Sequence, residues 1–222
     1  MAESDLERRQ FLKLTAAAGG GLLVGFHLPG LAATRDAYRL SGHHFSPNSW
    51  IHLAPDDTVT LMLATSELGQ GSMTAIPMLL AEELEADWAK IKVVPAPVNP
   101  DFNNPITSKQ LTGGSTAVRG YWEPLRRVGA GTRELLITAA AVTWGVAPSA
   151  CHARNSVVFH TASGRRLRYG ALLATASKLT PPAEVHLKNP KDFRLIGKPM
   201  ARLDTPAKVN GSAVFGPDVR RP

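Results

Sequence analysis

"DDTVTLMLATSELGQGSMTAIPMLLAEELEADWAKIKVVPAP", residues 56–97, decides the fold. Val59, Leu61 and Leu63 alternate with Thr60, Met62 and Ala64, the period of a strand. Met73, Ile76, Leu80 and Leu84 recur at helical spacing, with Trp88 one turn further on. "KIKVVPAP" then reads as a second strand. Strand, loop, helix and strand in that order make a βαβ unit, whose crossover is expected to be right-handed. The spacing predicts the helix over Met73–Ala86. Pro77 falls near its first turn, where proline is least disruptive. Glu82, Glu83 and Glu85 sit at its far end and do not serve its N-terminal dipole.

Ser66–Thr74, "SELGQGSMT", links strand to helix. Gly69 and Gly71 allow close approach of the main chain to a bound group. Free amides at the helix start, with the positive end of the dipole, suit a phosphate. Ser72 and Thr74 add hydroxyls, and Gln70 both donates and accepts. The spacing is neither a Walker loop nor a Rossmann fingerprint, so simple kinase and NAD readings fall away. On this stretch alone, a glycine turn that caps a helix explains as much as ligand binding does.

A second glycine cluster shifts that balance. "LTGGSTAVRGYWEPLRRVGAGTRELLITAAAVTWGV", residues 111–146, places Thr112, Gly113, Gly114 and Ser115 in a small polar loop before a long helix. That helix is predicted over Trp122–Trp144, with Pro124 in its first turn. Gly129, Gly131, Ala139, Ala140 and Ala141 make it slim enough for close packing. Two loops of exposed backbone, each opening a helix, can converge on one anionic ligand.

Around this pair the chain is simpler. "SWIHLAP" before Asp56-Asp57 reads as a further strand, with Trp50 and His52 alternating with Ile51 and Leu53. Residues 97–111 read as a long irregular loop, since Pro100, Asn103, Asn104 and Pro105 favour turns. Such a loop leading into a glycine cluster suits a cofactor lip. A short helix is expected near Gly170–Lys178, before Pro181-Pro182. The predicted class is α+β: a mixed sheet with βαβ character and two main helices.

Composition narrows the function. At 44% apolar and 19% charged, the chain of 222 residues can bury a core and is not a disordered polymer. The net charge is +7. Its basic clusters, Arg126-Arg127, Arg165-Arg166 with Arg168, and Arg220-Arg221, are short and lack interleaved aromatics, so no nucleic-acid partner is expected. The single cysteine, Cys151, can form neither an internal disulfide nor a cluster, and reads as a small buried hydrophobe. His43-His44 has no ligand-spaced companion and reads as surface loop.

The start of the chain has the layout of an export signal. In "ERRQFLKLTAAAGGGLLVGFHLPGLAA", residues 7–33, a charged beginning precedes a modest apolar run and small residues. Leu14–Phe26 is too short and glycine-diluted for a stable membrane span. Arg8-Arg9 followed by Phe11-Leu12-Lys13 resembles a twin-arginine signal, with Glu7 where Ser or Thr is usual. That resemblance implies the twin-arginine translocase as a partner, a periplasmic destination, and folding around a cofactor before export.

Residues 56–97 and 111–146 together resemble the molybdopterin-binding large subunit of the xanthine oxidase superfamily. The nearest subgroup is that of the beta subunits of isoquinoline 1-oxidoreductase and of periplasmic aldehyde dehydrogenases. "CHARNSVVFHTASGRRLRYGALLATASKL" and "LIGKPMARLDTPAKVNGSAVFGPDV" continue the likeness over essentially the whole chain. The resemblance implies a molybdopterin cofactor, in its cytosine dinucleotide form, held together with a completing chain. It implies cofactor-binding roles for Glu67, Gly69, Gln70, Gly71 and Thr74 in one loop, and for Thr112, Gly113, Gly114 and Ser115 in the other. It implies hydroxylation of an aldehyde or N-heterocycle, with electrons leaving through an iron–sulfur small subunit.

The family's catalytic glutamate motif is not met: Glu67, Glu82 and Glu83 stand elsewhere, so no catalytic residue and no metal ligand are assigned. The expected layout is an export address at 1–33, a linker at 34–46, a cofactor-binding domain at 47–188, and the opening of a further domain at 189–222. That layout suits an N-terminal part completed by a missing C-terminal part or a second large chain. The alternative is an exported interaction protein that kept the fold without the chemistry. The tail from Lys191 is expected to hold strands whose partners are absent, and to pack poorly.

Overall fold

The structure is a computed structural model and describes residues 22–24, 38–40, 43–45, 50–180, 182 and 184–221. Strands β1 (Leu22–Val24), β4 (Ile51–Leu53), β5 (Val59–Leu63) and β6 (Ile91–Pro95) form one four-stranded sheet in the order β1-β4-β5-β6. β1–β4 and β4–β5 are antiparallel, and β5–β6 is parallel, with Val59 opposite Ile91 and Leu63 opposite Pro95. Helix α1 (Ser72–Leu84) connects the parallel pair, so the βαβ unit and the mixed sheet are as expected. Pro95 lies on an edge strand, where its missing amide donor is tolerated.

Helix α2 runs Ala117–Trp144 and packs along α1. The packing is close because Gly129 carries no side chain: a Cβ there would lie 2.5 Å from the Leu80 carbonyl oxygen. Helix α3 (Tyr169–Ala176) closes the core beside α2 and β4. Strands β7 (Cys151–Arg154), β8 (Val157–His160) and β9 (Arg166–Arg168) form a separate antiparallel sheet. Its first turn uses Asn155 and Ser156, both at positive φ, which matches the twist of the strands it joins. The Tyr169 hydroxyl donates to the Leu84 carbonyl at 2.6 Å, tying α3 to the end of α1.

Several expectations are corrected. α1 ends at Leu84, and Glu85 turns left-handed at φ 54, so Trp88 belongs to a following 3-10 turn rather than to the helix. α2 begins at Ala117 rather than Trp122, which moves Pro124 out of the first turn. β4 is buried at Ile51, His52 and Leu53 alike, so the alternation there marks no solvent face. Cys151 is only half-buried on β7; burial nonetheless raises its thiol above the ordinary value, with Arg165 opposing. His43 and His44 lie in a short strand, β3 (His43–Phe45), paired with β2 (Tyr38–Leu40). β1 falls inside the stretch expected to be the export address; the rest of that stretch lies outside the described residues.

The tail is corrected as well. Among the described residues, 191–221 contain no strand, only a short helix α4 (Thr205–Val209) and 3-10 turns. Val209, Val214, Phe215 and Val219 are exposed, as poor packing would leave them. Residues 188–196 are different: they are pinned to α1 by buried carboxylates. Glu83 accepts from Arg126 Nε at 2.9 Å and from the Lys188 amide at 3.1 Å. Glu82 accepts from the amides of Arg194, Leu195 and Ile196 and from Lys188 Nζ. The Arg126 guanidinium is also stacked between Trp122 and Phe193, 5.2 and 5.0 Å from their ring centres.

Candidate functional site

The two glycine loops follow the carboxyl ends of the two parallel strands. The Ser66–Gly71 loop leaves β5, and the segment from Ala96 to Thr116 leaves β6. In α/β sheets this is the end where ligands bind. The loops meet directly: the Ser66 amide donates to Thr112 Oγ1 at 2.8 Å. Gly69, Gln70, Gly113, Gly114 and Ser115 are all exposed on this edge.

The first loop is shaped from within. Glu67 Oε1 accepts from the amides of Gly69 and Gly71 at 2.8 and 2.9 Å, and its Oε2 accepts from the Met73 amide at 2.8 Å. Burial pushes the Glu67 carboxyl up, but those amides and the Arg202 guanidinium outweigh it and hold it below the usual carboxylate value. Gln70 Oε1 accepts from the Leu68 amide, and Nε2 donates to the Ser66 carbonyl at 2.8 Å and the Ser72 hydroxyl at 2.9 Å. Gly69 and Gly71 have φ of 107 and 85, which only glycine adopts without strain. Thr74 is buried and its hydroxyl accepts from the Leu203 amide at 2.9 Å.

This corrects one expectation about the first loop. The start of α1 is not an open anion hole, because a carboxylate of the same loop already occupies its amides. Glu67 does the work of a helix cap that Gly71 cannot do, having no side chain. The second loop differs. Thr116 precedes α2 without capping it, its hydroxyl donating instead to the Gly113 carbonyl at 2.8 Å. Among the described residues, the amides of Gly113, Gly114 and Ser115 have no hydrogen-bond acceptor. Gly114 and Ser115 stand at φ 58 and 51, two successive left-handed residues that make a tight turn before α2. Asn104, fully buried, holds this loop by donating to the Thr116 carbonyl at 2.9 Å and lying where a Gly120 side chain would be.

Sequence reasoning missed three contributors. Thr65, at the end of β5, is buried with a hydroxyl that has no partner among the described residues. Arg202 donates to the Gly69 carbonyl at 2.9 Å and to Glu67 Oε1 at 3.1 Å. Asp204 receives the same guanidinium at 3.0 and 2.7 Å, and Arg202 with Lys208 draws its carboxyl far below the ordinary value. The spacing of Arg202 and Asp204 signals a local ion pair, but nothing local links it to residue 67.

Among the described residues the donors left open are the amides of Gly113, Gly114 and Ser115, since Gln70 and the amides of Gly69, Gly71 and Met73 are engaged within their own loop; a Cβ at Gly69, Gly71 or Gly113 would meet nothing within 4 Å. Among the described residues no His, Cys, Asp or Glu cluster could hold a metal ion. Such a set fits a polar, oxygen-rich group that brings any metal with it. The unpartnered Thr65 hydroxyl beside the loops fits the same group, since a buried polar atom is costly without a partner. Leu68 is 75% exposed, and Ile106, Leu111 and Val118 are also exposed near these loops in the chain. The surface thus resembles one wall of a site, not a closed pocket.

Loops of this kind at the carboxyl ends of adjacent parallel strands place the chain among α+β proteins with an exposed loop edge. Residues 3–214 match the family described as molybdopterin cofactor-binding domain, and the chain belongs to that family. Three relatives are similar over most of this chain. The membrane-bound aldehyde dehydrogenase [pyrroloquinoline-quinone] of Gluconacetobacter polyoxogenes is 32% identical over 98% of it. The beta subunit of isoquinoline 1-oxidoreductase from Brevundimonas diminuta is 34% identical over 80%. A nicotinate dehydrogenase subunit of Pseudomonas putida is 26% identical over 78%. The chain spans only 28%, 27% and 14% of the lengths of these relatives. Among the described residues no helix is long and apolar enough to cross a membrane.

Proposed function

We propose that this chain forms the loop-bearing wall of a molybdenum-cofactor site in an oxidoreductase that hydroxylates an aldehyde or an N-heterocycle. The observation that carries the reading is the hydrogen bond from the Ser66 amide to Thr112 Oγ1, which joins the two glycine loops into one exposed edge. When bound, the cofactor supplies oxygen transfer from water to carbon and takes up two electrons. The chain itself binds and orients. Gln70 and Glu67 hold the first loop in the shape that presents Gly69 and Gly71 flat. The open amides of Gly113, Gly114 and Ser115 take the anionic end. We infer the cytosine dinucleotide form, as the family resemblance implies.

The substrate pocket and the general base are assigned to a completing part or chain, because Glu82 and Glu83 are buried in structural ion pairs. An iron–sulfur small subunit would take the electrons onward. The paired arginines at the start of the chain support passage through the twin-arginine translocase to the periplasm.

Molybdenum and pterin content of the assembled complex tests this, in wild type and in Gln70→Ala. Metal near one per complex, falling several-fold in the variant with the fold intact, is the expected result. A wild-type complex without pterin sinks the proposal.

A further inference from the structure

We propose that Arg202 is a positioning residue for the Glu67–Thr74 loop, and that Arg202–Lys208 is a latch that sets this loop from outside. The inference rests on the cofactor reading only for its consequence, not for its geometry. One guanidinium meets three partners at once: Glu67 Oε1 at 3.1 Å, the Gly69 carbonyl at 2.9 Å, and both oxygens of Asp204 at 3.0 and 2.7 Å. Asp204 fixes the plane of the fork, and Lys208 Nζ in turn donates to Asp204. A second tie lies beside the first, from the Leu203 amide to Thr74 Oγ1 at 2.9 Å. The latch therefore holds the first acid, the first glycine and the last hydroxyl of the loop.

The loop has little else beneath it. Between latch and edge strand β6 lies a cavity of about 990 Å³, walled in part by Met73, Val93, Leu203, Val214 and Phe215. Glu67, Leu68 and Gly69 line its upper side. A loop that borders open space on one side and solvent on the other keeps its shape through its bonds, not through packing. Inside the loop those bonds converge on Glu67, whose charge Arg202 balances. The Gly69 carbonyl, turned by a left-handed φ of 107, ends on the same guanidinium. Lysine cannot replace this, because one ammonium does not span a carboxylate, a carbonyl and a second carboxylate in one plane. Ion pairs on a surface are worth little singly, but a planar fork with several fixed acceptors is the favourable case.

Amide hydrogen exchange on the full chain tests the latch, with wild type, Arg202→Ala and Arg202→Lys compared at several pH values. In Arg202→Ala the amides of Gly69, Gly71 and Met73 are expected to exchange on the order of tenfold faster, the size of one lost charged hydrogen bond. Amides within α2 should be unchanged. The pH at which the three loop amides lose protection should also rise, because Glu67 has lost its cation. Arg202→Lys should restore that pH but not the slow exchange. Equal acceleration in α2 and the loop, or no change in either, overturns the proposal, as does an unmoved pH dependence. Pterin content measured alongside separates the two claims. A loosened loop with unchanged pterin leaves the latch standing and removes the cofactor role of the loop.

Discussion

Glu67 shows how a single acid can build a glycine loop. Its two oxygens face the amides of Gly69, Gly71 and Met73, spaced two, four and six residues on. That spacing is local and was legible in "SELGQGSMT" as an acid placed to encircle the start of a helix. Reading the glycines first suggested free amides instead. Gln70 is of the same kind: an exposed polar residue whose bonds turn back into its own loop. Thr65 is the opposite case, a buried hydroxyl without a partner among the described residues. Thr65→Val should therefore stabilise the chain by about 1 kcal/mol, since it removes an unpaired buried polar group at nearly constant shape. A higher urea midpoint together with lower pterin content would fit a ligand-facing hydroxyl. A destabilised Thr65→Val would mean that the hydroxyl has a structural partner after all.

At the scale of elements, two glycines serve different physical needs, and substitution separates them. Gly129 lies where α2 meets α1, and a methyl group there would press on the Leu80 carbonyl at 2.5 Å and the Glu83 Cβ at 3.0 Å. Gly71 has open space around it but a φ of 85. Gly129→Ala should cost about 1–3 kcal/mol by overpacking. Gly71→Ala should cost about 1–2 kcal/mol by backbone strain alone. Thermal melts give both magnitudes, and amide exchange gives the location: along both helices for Gly129→Ala, within the loop for Gly71→Ala. The slimness of α2 was legible from Gly129, Gly131 and the alanine run. Which glycine touches α1 was not, because contact depends on how the two helices cross.

Across the whole molecule, the buried glutamates of α1 carry the tail. Burial pushes the Glu82 carboxyl up, but Lys188 and the amides of Leu195, Arg194 and Ile196 outweigh it, leaving it below the ordinary value of 4.5. A carboxylate held low contributes stability above 4.5, and that contribution is lost as pH falls through its lower folded value. Acidification should thus release residues 188–196 from α1. Glu82→Gln should lower stability at neutral pH and flatten the acid side of the stability profile; an unchanged acid slope would deny Glu82 this role. Tryptophan fluorescence follows the step, since Trp122 and Phe193 are brought together by Arg126, 6.3 Å between ring centres. The expectation of strands in this tail arose from reading it as the opening of a further domain, and its apolar residues Val209, Val214, Phe215 and Val219 join no strand. They stay exposed, because no neighbouring sheet edge among the described residues receives them.

The sequence by itself determined the βαβ unit, the two long helices and the two glycine loops. Each of these follows from a period or a composition that acts within a few residues. The tertiary structure alone decided that the loops touch, that α1 begins already capped while α2 does not, and that Arg202 reaches back to Glu67. Those contacts join residues 46 and 135 positions apart in the chain. Their geometry is set by the crossing of helices and by the parallel pairing of β5 with β6, which no local pattern encodes.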